Sequence, residues 1–449
     1  MKPQKHAGAL TVGAATAMLL GAAATAGQDD SVSSLQLEVA QLRAEVARLS
    51  AELPADRIDE QRSEEIRSLV QDVLADADTR ASLLQNGMTA GYDNGFFIRS
   101  TDGSFRLNLK GMIQFRFVYS SQDNAPEDNH RWGFEHSRTR FGFAGHVVDP
   151  TWQYLIWAGW GSNGGSLLLD AYIKKDLENN WSVQIGQFKS LTWREWSVSE
   201  TRQQFVERSN LDARYGGLYT QGVMANYATE QFRMQFAVTD GLRTWNTPYG
   251  TGPATTTGTM PYQLSNEYAF SARAEYLLGG AWGQYADFES WNDEEPMYVL
   301  GGAVHYQSGE YGTVDDEAEL LQWTVDGSFE FGGFNLYGAI IGNSIESSTV
   351  DRDEYGVLLQ GGMFLNDDWE LLARYEWGDM DTAGTDDLSI FTVGASRFWN
   401  RHGLKWTTDL GYSFNTVDAG WGGASRGWRG DTADQDGQMV LRSQIHLLF

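Results

Sequence analysis

From about residue 104 onward, apolar and polar positions alternate with a period of two. In residues 104–119, Phe105, Leu107, Leu109, Ile113, Phe115, Phe117 and Tyr119 fall on one face, and Arg106, Asn108, Lys110, Gln114 and Arg116 on the other. A strand with one apolar and one polar side has this pattern. A soluble antiparallel sheet would show it too, so the number of strands carries the argument. The pattern predicts strands near 104–119, 132–147, 151–161, 165–175, 181–189, 216–228, 231–241, 265–278, 297–307, 317–332, 334–346, 354–366, 368–379, 387–400, 403–416 and 437–449. That is sixteen, an even number. Short turns such as Asp149-Pro150, Gly332-Gly333 and Asn366-Asp367 alternate with longer polar loops at 120–131, 242–264, 308–316 and 417–436. Short turns on one rim and long loops on the other are the asymmetry of a transmembrane barrel. Residues 279–296 break the pattern, being long where a short turn is due. The last strand carries Met439, Leu441, Ile445, Leu447 and Phe449 on one face. Pairing of first and last strands would remove the sheet edge.

Ahead of this region the period is helical. Val32, Val39, Val46 and Leu53 fall seven apart, and Leu35, Leu42 and Leu49 fill the second seam position. These heptads predict a coiled coil over 31–53, ended by Pro54, in which Glu38 pairs with Arg43 of a neighbouring helix. The alternative is one amphipathic helix lying on the barrel. Ile66, Leu69, Val70, Val73 and Leu74 mark a second helical face. Asn86-Gly87 and the glycines at 91 and 95 read as a linker. At the start, Lys2 and Lys5 precede an Ala- and Gly-rich apolar stretch that runs into Ala24-Thr25-Ala26. This has the form of a secretory signal with a small-residue cleavage site, rather than an anchor. The expected organisation is signal peptide 1–26, periplasmic helical segment 27–86, linker 87–103 and outer-membrane barrel 104–449. The fold class is thus an all-β transmembrane barrel of 16 antiparallel strands, preceded by a short α-helical coiled coil.

Composition sharpens this picture. The 449 residues include no cysteine, which excludes a disulfide scaffold and any thiolate site. Beyond Ala26 no apolar run is long enough for a spanning helix. Barrels escape hydropathy analysis because lipid-facing and lumen-facing residues alternate. The 17 Trp, 19 Tyr, 22 Phe and 50 Gly fit a barrel. A net charge of −27 excludes a nucleic-acid partner.

Residues 167–211 resemble the signature of the phosphate-selective porin O and P family, in which a strand ending in G-x-F-K leads into the third extracellular loop and a later F-x-E-R element. Gly186, Phe188 and Lys189 match the first part, and Phe205, Glu207 and Arg208 the second. Arg138, Arg140, Gly142, Phe143 and Gly145 match the family's R-x-R-x-G-F-x-G strand. The resemblance implies a trimeric 16-stranded outer-membrane porin whose third loop folds inward to form the constriction. The family's arginine ladders and lysine clusters do not map onto this chain position by position, and its loops are acidic. The resemblance therefore transfers the channel more strongly than phosphate selectivity.

Selectivity in such a channel comes from charges on the lumenal wall and the constricting loop. An Arg or Lys facing lipid at mid-membrane would cost about 2–4 kcal/mol. Alternation accordingly places Arg106, Lys110, Arg116, Arg138, Arg140, Lys174, Arg233, Arg273, Arg374, Lys405 and Arg442 in the lumen. The same rule puts Asp170, Glu275, Asp326, Glu330, Glu376 and Asp409 there. Lys189, Arg194, Glu195, Glu200, Arg202, Glu207 and Arg208 are the constriction-loop candidates. They either set a transverse field or pin the loop by ion pairs. The resulting expectation is a water-filled channel for small hydrophilic solutes, anionic or neutral, with a weak anion preference led by Arg116, Arg138, Arg140 and Arg194. The alternative is a barrel-anchored tether between outer membrane and cell wall. An enzyme is not expected: there is no H-E-x-x-H around the histidines. No cofactor is expected, and the acidic loops lack EF-hand spacing, so no metal is either. The expected partners are outer-membrane lipids and two further copies of the chain.

Overall fold

The computed structural model describes residues 40–48, 67–72, 87–93, 95–122, 129–161, 164–247, 266–310, 317–347, 351–430 and 437–449. The expected signal peptide, most of the heptad stretch and the tips of several long loops lie outside the described residues. The chain divides into two compact units, residues 1–91 with 98–104, and residues 92–97 with 105–449. Within the first, 40–48 (α1) and 67–72 (α2) are helical. A Glu45–Arg48 pair at 2.6 Å supports α1, and Leu42 and Val46 are exposed on it.

The expected linker 87–103 is corrected. It contains two short strands, β1 (Met88–Tyr92) and β2 (Phe96–Ser100). Gly95, at φ 136°, sits between them in a conformation that L side chains rarely adopt. The glycines read as linker punctuation thus mark a turn between strands. After β2, Asp102 accepts from the Ser104 amide at 2.9 Å and from the Ser100 hydroxyl at 2.6 Å.

All sixteen predicted barrel strands are present, with ends moved by at most about three residues. They are β3 (Arg106–Ser121), β4 (His130–His146), β5 (Trp152–Trp160), β6 (Ser166–Asp176), β7 (Trp181–Lys189), β8 (Tyr219–Ala228), β9 (Phe232–Thr239), β10 (Tyr268–Gly279), β11 (Met297–Glu310), β12 (Glu317–Glu330), β13 (Phe334–Glu346), β14 (Asp351–Asn366), β15 (Trp369–Asp379), β16 (Leu388–Asn400), β17 (Leu404–Ser413) and β18 (Met439–Leu448). Each pairs antiparallel with its neighbour in sequence. β18 pairs with β3 from Met439↔Ser121 to Leu448↔Met112, which closes the barrel. Gly111 and Phe449 extend this seam by exchanging backbone hydrogen bonds of 2.8 and 3.0 Å. A side chain at Gly111 would collide with the Phe449 ring, so glycine is required there.

Alternation sorts the wall. Outward aromatics gather in two belts. Trp152, Trp181, Phe331, Phe334, Trp399 and Trp406 stand at the short-turn rim, and Trp132, Trp160, Tyr268, Tyr355, Tyr375 and Tyr412 toward the long-loop rim. Amphipathic rings at both membrane–water interfaces are expected of a spanning barrel. The inward positions carry the polar and ionic side chains.

Candidate functional site: the lumen and its constriction loop

β7 ends at Lys189, and residues 190–218 fold into the lumen before β8. This third loop holds α3 (Arg194–Ser197), a 3-10 turn (Glu200–Arg202) and α4 (Asn210–Tyr215). Ser209 starts α4 by accepting from the Asp212 amide at 3.0 Å. Trp193, Leu211 and Tyr215 are fully buried and pack with Tyr337, Ile341, Leu358 and Trp421. This apolar cluster inside the barrel holds the loop against the far wall. Polar contacts fix its register. The Val206 amide donates to Asp409 at 3.0 Å, the Asn210 amide to Glu376 at 2.6 Å, and Gln204 to Asn335 and Glu370 at 2.9 and 2.8 Å.

All eleven lumenal cations predicted by alternation face inward, but most are spoken for. Arg116 pairs with Glu207 and with Glu135, the latter at 2.6 Å. Arg138 meets the other Glu207 oxygen at 2.7 Å, and Arg140 pairs with Glu200. Arg273 is held by Asp326 at 2.8 Å and Glu275 at 2.7 Å. Arg374 lies 3.1 Å from Glu376, and Arg442 lies 2.7 Å from Asp409. Lys405 donates to the Gln203 carbonyl at 2.6 Å and faces Glu289 at 3.4 Å. Near the short-turn rim, Arg106 and Lys174 make looser pairs with Asp93 and Asp176 at 3.5 and 3.2 Å. Arg233 stacks on Trp282 at 4.0 Å. Lys110 alone of the eleven makes no polar or ring contact among the described residues, and it is exposed.

The loop candidates behave in the same way. Lys189 donates to the Trp196 carbonyl at 3.0 Å and faces Glu200 at 3.4 Å. Arg208 donates to the carbonyls of Glu195 and Val198 at 3.0 and 2.8 Å. Glu195 accepts from the Ser209 amide at 2.8 Å. Arg194 donates to Ser328 and to the Asp287 carbonyl, both at 3.0 Å, with its guanidinium 3.4 Å from the Tyr285 ring centre. Pinning, rather than an open transverse field, is therefore what most of these charges do. Arg202 is the exception: it is half-buried, has no carboxylate within 4 Å among the described residues, and its charge is felt by Lys110 as well as by Asp287.

Two corrections follow. The lumenal acids were undercounted, since Glu135, Glu354 and Glu370 also face inward; Glu354 and Glu370 are fully buried. Glu354 opens the strand predicted at 354–366, shares its phase with the inward Gln360 and was readable. Glu370 shares its phase with Arg374 and Glu376 and was readable. The second concerns residues 279–296. This connection reaches from the end of β10 across to the turns after β12, β14 and β16. Gly333 donates to the Ser290 carbonyl at 3.0 Å, Asn292 to Asp367 at 2.9 Å, and Arg401 to Asp293 at 2.9 Å. Trp282, Tyr285, Phe288 and Trp291, spaced by three, face the barrel. Trp291 packs on Phe364, Phe398 and His402. That aromatic spacing was the signal for an ordered strap. At the other mouth a pocket of about 750 Å³ opens between β3, β4 and residues 424–430, lined by Arg131, Glu135, Trp428 and Arg429 among others.

A sixteen-stranded closed barrel with aromatic belts and an inward third loop defines an outer-membrane porin. The family profile described as "Phosphate-selective porin O and P" matches residues 108–302, which bears out the resemblance read from Lys189 and the Glu207 region. The chain is an outer-membrane porin channel that resembles this family over those residues. Among solved structures it is similar to an anion-selective porin from Comamonas acidovorans, with TM-score 0.55 and 14% identity over 76% of this chain and 99% of that one. The outer-membrane channel DcaP of Acinetobacter baumannii gives TM-score 0.52 and 12% identity, covering 80% of this chain and all of that one. OmpT of Vibrio cholerae in its trimer form gives 0.51 and 11%, covering 76% and 99%. No curated protein matches the chain in sequence.

Proposed function

We propose that the channel favours small anions, phosphate among them, weakly, and that Lys110 and Arg202 set this preference rather than the paired wall arginines. The observation that carries the reading is their shared position without carboxylate partners. An arginine bound to two carboxylates presents little net charge to a passing ion, whereas two adjacent unneutralised cations attract anions within about a Debye length, roughly 8 Å. The similar anion-selective porin from Comamonas acidovorans has the same sign of preference. We also read the chain as a homotrimer with a cleaved signal at 1–26 and a helical segment over 31–53. Leu42 and Val46, exposed on α1, fall on the two seam positions, and the similar V. cholerae OmpT in its trimer form supports the trimer reading.

Reversal potentials in planar bilayers under a KCl gradient test the selectivity. Wild type should favour chloride modestly, and Lys110→Gln with Arg202→Gln should bring the preference to zero or past it. Preference for cations in the wild type, or an anion preference untouched by the double substitution, would remove these two residues from the site.

A further inference from the structure

The strap at 280–296 brings together a group of side chains that conduction does not use. Asp287 and Glu289 come from the strap, and His402 from the turn between β16 and β17. The His402 Nε2 atom lies 2.7 Å from an Asp287 carboxylate oxygen and 3.7 Å from a Glu289 oxygen. One donor atom from each residue fits within a 4.8 Å span. Two ligands at about 2.1 Å from one tetrahedral ion stand roughly 3.4 Å apart, so the hydrogen-bonded Asp287–His402 pair, now 2.7 Å apart, must open by under an ångström while the wider separations, within 4.8 Å, close by little more than one. We propose that Asp287, Glu289 and His402 bind one divalent transition-metal ion, for which zinc is the best chemical match, and that the ion clamps the strap to the barrel rim.

A second, independent feature points the same way. The His402 side chain is mostly buried, 11% exposed, and its Nδ1, without a partner among the described residues, faces away from the carboxylates and would carry the ring proton with Nε2 on a metal. One oxygen of Glu330 and one of Glu370 are likewise buried without partners, and both carboxylates feel Glu289 as a like charge. Buried polar atoms left unpaired are costly. Arg202 acts on Asp287 and His402 without a carboxylate within 4 Å among the described residues, while the other cations nearby are already engaged: Arg401 with Asp293, Arg194 with Ser328 and the Asp287 carbonyl, and Lys405 with Gln203 and the other Glu289 oxygen. A divalent ion would relieve the surplus of carboxylate. One imidazole with two carboxylates is a mixed donor set that suits zinc, manganese or ferrous iron better than magnesium or calcium, which prefer all-oxygen shells. On binding, Nε2 gives its lone pair to the metal and the ring proton resides on Nδ1.

Zinc binding by the purified, detergent-folded porin is the test, measured by isothermal titration calorimetry alongside bound zinc per chain after gel filtration. One zinc per chain is expected. His402→Ala and Glu289→Gln should each weaken binding at least tenfold, whereas His130→Ala, in an exposed position near the other rim, should not. A tenfold excess of magnesium should not compete. Migration on unheated gels confirms that each variant is a folded barrel, and the more conservative Asp287→Asn supplies a second route if Glu289→Gln fails to fold. Failure of the wild type to bind, or equal binding by His402→Ala, would overturn the site. Zinc-free conductance is recorded in the same bilayers, so the outcome is separable from the selectivity reading.

Discussion

Glu207 shows how one side chain organises this lumen. It sits in the third loop, nearly fully buried, and takes Arg116 and Arg138 on its two oxygens. Burial alone would raise its carboxyl, but Arg138 and Arg116, with Arg426 behind them, outweigh burial and hold it well below the usual carboxylate range. A depressed carboxyl contributes its stabilisation above the unfolded value of about 4.3. That contribution is lost only as pH falls through the depressed folded value. The loop should therefore stay pinned from pH 7 to below pH 4, with single-channel conductance at fixed salt unchanged over that interval. Glu207→Gln should act at neutral pH instead. Removing one member of a buried ion pair costs about 3–5 kcal/mol, here spread over two arginines. Larger and noisier conductance is expected, and a channel indistinguishable from wild type would show that the apolar packing of Trp193 and Leu211 suffices alone. None of this pairing was readable from the sequence, because Arg116 and Glu207 are 91 positions apart and meet only when the loop turns inward.

At the scale of elements, legibility divides differently. Each barrel strand carries its own period-two signal, so all sixteen could be found independently, and the sign of each inward residue followed from phase. Even the bulge in β4 at Ser137 left Arg138 and Arg140 on the lumenal side. The N-terminal unit was less legible: β1 and β2 have only five residues each, too few for alternation to stand out. The strap was noticed as an anomaly in length and explained only by its buried aromatics. It packs on strand side chains such as Phe364, Phe398 and Tyr337, but its backbone bonds outward to the turn at Gly333 and adds no rung to the barrel's ladders, so barrel closure does not depend on it. Replacing residues 282–293 by a two-residue turn should leave the heat-modifiable folded barrel intact and raise conductance. A variant that no longer folds would assign the strap to the folding core of the barrel.

The whole molecule carries a net charge of −27, yet the lumenal wall is largely neutralised by its own pairs. The excess acid therefore belongs mainly to loops and to the N-terminal region, where it raises solubility at the rims without filling the path. Assembly is also decided at this scale. A barrel closed by β18 on β3 has no free edge, so copies cannot associate by strand addition. They must meet through outward side chains or through the N-terminal segment. The exposed Leu42 and Val46 of α1 fall on the two seam positions of the heptad pattern, which buries apolar surface only when helices from different copies come together. Deleting residues 31–53 should then weaken a trimer without preventing barrel formation, shifting native mass spectra in detergent toward monomers at low protein concentration while unheated gel migration stays that of a folded barrel. A trimer equally resistant to dilution with and without the segment would place the entire interface on the barrel wall. A monomer in both cases would show that the helices serve something other than self-association.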